Sequence, residues 1–569
     1  MDGASRDLRE RPNRGDRRLF LTMEPAEYNI NEDKAHRIDV KELRKLCYQR
    51  LDLGNIDLAM ETARRLQEAL SSPLDALSTL EKAEVACILV DVGAAAGDET
   101  MVDSGVDLFN RHYAVFSDFI EPDSLEYNLG NGKKSLHDIA VAKRKEAFKP
   151  ETINLATEAK AHYWKALKLV GDRKAAPELL VNLANCLDQC GRVVEALMWY
   201  DRALALDPAF GMAHLNKGHA LLYLNKIADS YTIKLLDEAR SCFTAAKSWG
   251  PLPRDLKENA EHQQHSLTET LLSLGYDQER LHAGAHHDIE EYEAHHPYWR
   301  WCLDNFIVLS EHSLYCRCAG ARRDDLAIPK QSGSIGGEFV PKLELLLNRI
   351  KSEFCLARAL HYQGAVLTAD AGWDTKPFDG TFTELYDHET IGLRSEFLRT
   401  SFRLCFGVLD KIARGIANLF GLAPVTETLY FESFWRPTNE RKKGEERRWQ
   451  LINEQHNHGL VALFSLATDL NRVGGEWSHY KENRNQLEHG IFLIRENEGE
   501  GAQQGNLVDL EGLKTVSVAE FIEANLRMLQ FTASAIFSFA FCVRIEGLKA
   551  HNPKGAQVVL GKKVDIGKA

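Results

Sequence analysis

The sequence predicts an all-α protein in which a solenoid of helical hairpins precedes a helical bundle. From about Asp39 the chain reads as helical almost throughout, and runs of β-branched residues with period-two alternation are few. A stripe of small and aromatic residues recurs in the first half. From His296 the character changes, and a nearly all-apolar segment, Val518–Val543, follows near the end. We expect that segment to be buried, either in the bundle core or at a dimer contact.

Length and composition are those of a soluble globular protein. The 569 residues, of which 44% are hydrophobic and 27% charged, have room for about three to four domains. No apolar run approaches the roughly 18–20 residues of a membrane span, and the first residues lack the apolar core of a secretory signal. The eleven cysteines contain no Cys-x-x-Cys pair. An odd number of scattered cysteines favours reduced thiols and a cytoplasmic location.

The balance of charge limits the kinds of partner. A net charge of −13 argues against broad, non-specific coating of nucleic acid. A local basic strip is nevertheless present, formed by Arg436, Arg441, Lys442, Lys443, Arg447 and Arg448. This strip is either a solvated charged loop or an arm that steers phosphates towards a site.

The clearest repeat unit runs from Pro177 to Pro208. Its first helix carries the large–small pair Leu183–Ala184, and Gly191 stands at the turn. Its second helix carries a small–aromatic–small stripe at Ala196, Tyr200 and Ala203. This unit resembles a tetratricopeptide repeat (TPR). One such unit cannot bury its apolar face alone, whereas stacked units can, and the stack forms a concave binding surface.

Related units extend the predicted solenoid over residues 39–255, after a flexible tail at 1–38. The stripe recurs at Ala159, Tyr163 and Ala166 and at Ala239, Phe243 and Ala246. Gly218 supplies the small first-helix position of the last unit, and 127–132 looks like the first helix of an earlier one. We expect the aromatic residues to be core residues rather than ligand contacts, and the surface to bind a protein partner or trigger.

A polar, histidine-rich connector is predicted at 256–295. Its histidines are His262, His265, His282, His286, His287 and His295. Imidazoles beside Asp288 and Glu290 could bind zinc, but adjacent histidines in a Gly/Ala-rich loop seldom converge. The sequence therefore predicts no metal and no cofactor.

The segment Lys481–Gly490 carries the chemistry. Arg484 is followed by the polar Asn485 and, five residues on, by His489. Looser arginine–histidine pairs occur at Arg280/His286, Arg472/His479 and Arg544/His551. The tight spacing resembles the R-x4-H element of HEPN ribonucleases.

The order of segments around this element resembles a HEPN subfamily that follows tetratricopeptide repeats in bacterial proteins. The resemblance covers residues 296–548 and leaves 549–569 as a C-terminal tail. The helices expected for the domain are 343–362, 394–420, 460–470, 484–495 and 518–543.

The resemblance implies a metal-independent RNA endonuclease. RNA carries its own nucleophile, the 2′-hydroxyl, and cleavage needs proton transfer and positive charge on the phosphorane. Histidine can act as acid or base near neutral pH, and a forked guanidinium suits a phosphate that gains charge. The resemblance implies that His489 transfers the proton and that Arg484 stabilises the charge of the transition state. Asn485 would orient the phosphate or the histidine. It also implies a bacterial toxin or antiphage effector that is restrained through its repeats.

Helix geometry constrains this site. Residues five apart on an ideal helix lie about 140° apart around the axis, so Asn485 and His489 share a face and Arg484 points elsewhere. Arg484 can approach His489 if it lies in a distorted first turn, or if two copies share the site. HEPN domains generally dimerise with their motif helices face to face, so a homodimer is implied.

Further candidates are weaker. Trp477, His479 and Tyr480 could stack an RNA base. Secondary polar candidates on the first two bundle helices are Glu353, Arg358, His361, Arg394 and Glu396.

Two other interpretations remain open. Arg484 and Glu488 could be only a surface ion pair at i,i+4, in a non-catalytic adaptor that dimerises or binds RNA or nucleotides. The domain could instead accompany a nucleotidyltransferase, although no Gly-Ser motif followed by Asp-x-Asp is present for one on this chain.

Overall fold

A computed structural model describes residues 39–70, 77–145, 147–170, 176–228, 233–248, 252–276, 290–328, 334–335, 338–366, 392–423, 428–435, 451–471, 475–495 and 513–551. The predicted all-α fold class is confirmed, since helices dominate these ranges and the few strands are short. The chain forms two compact units. Among the described residues, the first unit contains 39–144 and 165–170, and the second contains 145–164 and those from 176 onwards.

The first unit is a series of helices in which near neighbours in sequence pack together. They are α1 (Val40–Asp52), α2 (Ile56–Ala69), α3 (Thr79–Ala96), α4 (Glu99–Arg111), the short α5 (Tyr113–Phe116) and α6 (Pro122–Arg144). Side chains satisfy the open backbone N–H groups at three helix starts. Asp39 caps α1, Asp98 caps α4, and Ser78 forms a capping box with Glu81 at α3.

The second unit begins with repeat helices. They are α7 (Pro150–Val170, which belongs to this unit as far as Trp164), α8 (Pro177–Gln189), α9 (Val193–Leu206), α10 (Gly211–Ile227), α11 (Ile233–Ser248) and α12 (Arg254–Ser273). From α8 to α12 each helix packs against the next one. Such packing makes a helical solenoid, in which each hairpin covers the apolar face of its neighbour, as expected for TPR-like repeats.

The repeat positions pack as their residue types predict. Tyr163, Tyr200 and Phe243 are at most 1% exposed, so the aromatic residues form the core of the hairpins. Gly218 lies against the Phe243 ring, and a Cβ atom there would come within 2.9 Å of it. Gly191 adopts a φ of +76° at the α8–α9 turn, a conformation that glycine reaches without steric cost.

The stretch predicted as a polar connector, 256–295, begins inside α12. Ala260, Leu267 and Leu271 are buried along this helix, which packs on α11. The solenoid therefore continues past residue 255. His282, His286 and His287 lie outside the described residues.

The C-terminal part of the second unit is a helical bundle. It contains α13 (Pro297–Asp304), two 3-10 turns (Glu311–Leu314 and Ala319–Arg322), the antiparallel β1 (Ser334–Ile335) and β2 (Glu338–Phe339), α14 (Val340–His361) and a π-helical turn (Tyr362–Val366). These are followed by α15 (Leu393–Phe420), α16 (Phe431–Phe434), α17 (His458–Asp469), α18 (Ser478–His489), β3 (Ile491–Arg495), β4 (Leu513–Ser517) and α19 (Val518–His551).

Helix α19 is the centre of the bundle, where it packs against α14, α15 and α17. Within the described residues it is the one helix long and apolar enough to cross a membrane, and the whole of its apolar window is buried by protein. Its apolar surface is thus used by the bundle core, the first of the two locations predicted for it.

The predicted helix at 484–495 is wrong at both ends. Helix α18 begins at Ser478 and ends at His489, and 491–495 form β3, which pairs in parallel with β4. Gly490 takes an extended conformation at the junction. The following Ile-Phe-Leu-Ile run has high strand propensity, and Phe492, Leu493 and Ile494 are buried. Pairing with a strand distant in sequence therefore decides the local structure.

Candidate active site on the motif helix

Helix α18 has a buried side and an exposed side. Tyr480 and Asn483 are buried, and the Tyr480 ring lies edge-on to Phe402 of α15 at 6.0 Å between centroids. Asn485 and His489 are exposed on the opposite side. Two of the three predicted catalytic residues therefore share an exposed face, as their four-residue separation requires.

Arg484 is half-buried and is held by its neighbours. Its Nη1 donates a hydrogen bond to Asn485 Oδ1 at 3.2 Å. Burial raises the pKa of Asp410 on α15, while the Phe431 N–H and the positive charges of Arg484 and Lys481 partly oppose that rise. Asp410 thus lies within electrostatic range of the motif arginine. It lies on another helix, and nothing near it in the sequence links it to the motif.

His489 is the last residue of α18 and is exposed to solvent. Its position is set by β3, which starts two residues later and whose Phe492 carbonyl accepts a hydrogen bond from Arg399 Nη2 at 3.0 Å. Among the described residues, none hydrogen-bonds to the His489 ring. The imidazole is therefore presented on the surface by a fixed backbone.

A distorted first turn does not bring Arg484 to His489. The helix begins at Ser478, so Arg484 lies in its second half, and Asn483, Arg484 and Asn485 are all helical. Regular helix geometry separates Arg484 and His489 by about 140° around the axis. Of the two arrangements considered, a distorted first turn and a site shared by two copies of the chain, the second remains.

Residues 336–546 match the LA2681-like HEPN family. The match contains α14 to α18, α19 as far as Glu546, and the whole of the Arg484–His489 element. It lies inside the predicted range 296–548 and does not reach the repeats. No curated protein matches the chain significantly.

The aromatic residues before the motif differ in accessibility. Tyr480 is 3% exposed and packs in the core of the HEPN domain, so it offers no face to a base. The Trp477 ring lies edge-on to Trp164 at 5.6 Å. Trp477 is half-buried and His479 is exposed, so His479 has the most accessible ring of the three.

The secondary polar candidates have structural partners instead of an open site. Arg358 is buried and pairs with Asp324 at 2.6 Å, and Glu353 pairs with Arg349 and Lys411. The buried His361 stacks on Trp301 at 5.5 Å. Arg394 donates to the Gly364 carbonyl, and Glu396 pairs with Arg399. Arg358, Glu353, His361 and Arg394 thus connect different segments of the bundle, whereas Glu396 pairs within its own helix.

Two further sequence features are Arg544 and the basic strip. Arg544, from one of the looser arginine–histidine pairs, is buried and forms an ion pair with Glu311. The basic strip, with Arg436, Arg441, Lys442, Lys443, Arg447 and Arg448, lies outside the described residues.

A buried ionic cluster joins the repeats to the HEPN domain. Asp469, at the end of α17, forms ion pairs with Lys160 Nζ of α7 at 2.7 Å and with Arg192 Nη1 at 2.5 Å. Arg192 also makes a two-pronged pair with Glu195 at 2.7 and 2.8 Å. Burial raises the pKa of Asp469, but Lys160 and Arg192 outweigh burial and leave it lowered. Lys160 and Arg192 of the repeats therefore favour the ionised form of this carboxylate, while burial lowers the pKa of Lys160 itself.

A group of aromatic rings lies beside this cluster. The Arg527 guanidinium of α19 stands 5.0–5.4 Å from the ring centroids of Trp164, Trp199 and Trp477. Two of these rings belong to the repeats, and Trp477 immediately precedes the motif helix. Its backbone N–H donates to the Asp469 carbonyl at 2.8 Å. The segment that leads into α18 is thus held between the repeats and the bundle core.

Proposed function

We propose that this protein is a metal-independent endoribonuclease of the HEPN type. The observation that carries the proposal is the placement of Asn485 and His489 on an exposed face of one helix, with Arg484 hydrogen-bonded to Asn485, inside a domain matched to a HEPN family. An arginine, a polar side chain and a histidine are the groups that RNA cleavage without a metal requires.

In the proposed reaction the 2′-hydroxyl oxygen attacks the adjacent phosphorus, and the bond from phosphorus to the 5′-oxygen breaks. The products are a 2′,3′-cyclic phosphate and a 5′-hydroxyl. His489 either accepts the proton that leaves the 2′-hydroxyl or donates a proton to the departing 5′-oxygen. Arg484 stabilises the negative charge on the phosphorane, and Asn485 holds the guanidinium in place through its 3.2 Å hydrogen bond.

The site is proposed to be completed by a second copy of the chain. Within one chain, Arg484 and His489 project in directions about 140° apart. The exposed Asn485–His489 face can lie against the same face of a partner, so that Arg484 of one copy meets His489 of the other. A two-fold interface of this kind is self-complementary and produces two equivalent sites.

Control by the repeats is the second element of the proposal. The repeats would bind a protein trigger and restrain the nuclease in a bacterial toxin or antiphage defence role. Support comes from the contacts of Lys160 and Arg192 with Asp469, and from Trp477, which connects that region to α18. A trigger that shifts the repeats would therefore act on the segment next to the motif.

The test compares the full-length wild type with His489→Ala and with a matched control, His265→Ala. His265 is exposed on α12, and among the described residues it pairs only with Glu269, one helix turn further on. Each protein is incubated with total RNA and EDTA, and the RNA ends are analysed. We expect 2′,3′-cyclic or 3′-phosphate ends from the wild type and His265→Ala, and none from His489→Ala.

Intact RNA with all three proteins, including after addition of lysate from infected cells, would contradict the proposal. The protein would then be a non-catalytic HEPN adaptor. Equal cleavage by His489→Ala and wild type would instead show that another group transfers the proton. Circular dichroism confirms that each variant is folded.

A further inference from the structure

His312, Cys316 and Cys318 converge in the connection between α13 and α14. One potential ligand atom from each residue lies within 4.8 Å of the other two, and His312 Nε2 is 3.1 Å from Cys318 Sγ. We propose that these three side chains form a zinc site, with water in the fourth position. The site is distinct from the histidine-rich stretch 256–295, and it lies outside the segment matched to the HEPN family.

Local backbone structure brings the three side chains together. The 3-10 turn Glu311–Leu314 continues into a hydrogen bond from Cys316 N to the His312 carbonyl at 3.0 Å, so Cys316 follows His312 by one turn. The Cys318 N–H then donates to Cys316 Sγ at 3.4 Å. This contact holds the Cys316 sulfur, which binds metal as the thiolate, beside Cys318.

Neighbouring side chains hold the ligands in place. The Tyr315 hydroxyl lies 3.2 Å from His312 Nδ1, and a partner on Nδ1 directs Nε2 to the metal position. The buried His295 hydrogen-bonds to the Arg317 carbonyl at 2.9 Å. Arg317 itself donates to the Ser313 carbonyl at 2.6 Å. Arg317, the residue between the two cysteines, is therefore held through both its backbone and its side chain.

The donor set indicates the metal. Two thiolates and an imidazole are soft and borderline ligands, which suit zinc and do not suit calcium or magnesium. In a tetrahedral site with zinc–sulfur bonds of about 2.3 Å, neighbouring sulfur atoms lie about 3.8 Å apart. Ligand atoms within 4.8 Å of one another reach that arrangement by a small contraction. Binding releases the two thiol protons, and the two thiolates balance the charge of Zn²⁺.

The site would stabilise the loop that closes one side of the HEPN bundle. Glu311 precedes His312 and pairs with Arg544 of α19. Asp324 follows Cys318 and pairs with Arg358 of α14 at 2.6 Å. The metal would therefore join two points where the loop is already attached to core helices. This role does not depend on the proposed RNA cleavage.

The experiment uses the full chain, expressed with added zinc and purified without chelator, and metal content is measured by mass spectrometry. We expect about one zinc per chain in the wild type, and at least about ten-fold less in His312→Ala and in the double variant Cys316→Ser/Cys318→Ser. The control Cys355→Ser removes a thiol that lies outside the cluster and is half-buried like Cys318, and this variant should keep its zinc.

A second measurement needs no variant. Apo wild type is titrated with Co²⁺, which in this site gives thiolate-to-cobalt charge-transfer absorption. Zinc should also protect the half-buried Cys318, but not the half-buried Cys355, from alkylation by iodoacetamide. Wild type that binds neither metal, or zinc retained in full by the folded double variant, would overturn the proposal.

Discussion

Arg192 and Asp469 form a buried ion pair, with 2.5 Å between Nη1 and Oδ2 and with both side chains at most 3% exposed. The second carboxylate oxygen of Asp469 binds Lys160 Nζ at 2.7 Å, and Glu195 pairs with the other side of Arg192. Two basic and two acidic side chains are thus buried together. Since removal of a charge from such a group leaves its partners unpaired in a medium of low polarity, the cluster makes the repeats and the HEPN domain depend on each other.

Asp469→Asn should therefore destabilise the second unit strongly. The variant keeps the size of the side chain but leaves Lys160 and one side of Arg192 without a counter-charge. We expect a loss of about 3–5 kcal/mol in the free energy of unfolding, measured from the midpoint of urea denaturation. The control is Arg254→Ala, which removes the exposed Arg254–Glu258 pair of α12 and should leave the midpoint unchanged. Equal stability of Asp469→Asn and wild type would show that the cluster contributes nothing.

Mixing of two inactive variants tests the shared site. Arg484→Ala and His489→Ala should each lose RNA cleavage when purified alone. If Arg484 of one copy acts with His489 of the other, a mixed dimer contains one intact site and one without either group. Random exchange of subunits should then restore about a quarter of the wild-type activity. Activity that stays at the level of the separate variants, despite subunit exchange shown by mass spectrometry, would place both groups in one chain.

His361 should make stability depend on pH. Burial lowers the pKa of His361 from 6.5 to about 4. The unfolded chain therefore takes up a proton as the pH falls below about 6.5, whereas the folded chain resists protonation until about pH 4. His361 therefore has no effect on the free energy of unfolding well above pH 6.5. As the pH falls from 6.5 towards about 4, this residue lowers the free energy of unfolding. At about pH 5 the loss is about 2 kcal/mol.

The variant His361→Phe should remove that loss. Phenylalanine can keep the stacking on Trp301, and the Nδ1 atom that it replaces has no hydrogen-bond partner in the described structure. The measurement compares urea midpoints at about pH 7.5 and about pH 5. The fall in midpoint should be smaller for His361→Phe than for wild type, while the exposed-site control His265→Ala should behave as wild type. An identical fall in all three would exclude His361 as the cause.

Gly191 should tolerate alanine less well than another glycine of similar conformation. A Cβ atom at Gly191 would lie 2.4 Å from the His458 carbonyl oxygen, whereas one at Gly421 would meet nothing within 4 Å. Both glycines have positive φ, +76° and +62°, so conformational strain of about 1–2 kcal/mol is common to both substitutions. Gly191→Ala should lower the free energy of unfolding by more than Gly421→Ala does. The difference is the energy needed to move the repeat turn away from α17. Thermal denaturation of the two variants measures the difference, and equal midpoints would contradict it.

Local patterns in the sequence predicted much of the architecture. The small–aromatic–small stripe at Ala196, Tyr200 and Ala203 predicted the repeat hairpin, because close helix packing demands those sizes at that spacing. The apolar run of Val518–Val543 predicted a buried helix. The Arg484–His489 spacing indicated the HEPN element, which lies within the matched segment.

Other features depend on contacts between residues that are far apart in the chain. Strand β3 replaces the predicted end of a helix because Ile491 to Arg495 pair with β4. Tyr480, Arg358 and His361 resembled site residues in the sequence, but the tertiary structure buries them, and burial decides whether a polar or aromatic group faces a substrate. Asp410 near Arg484, and Lys160 with Asp469, could not be paired in advance. Sequence periodicity determines which face of a helix is apolar, whereas the partner that each charged group meets on that face is decided only when the helices pack.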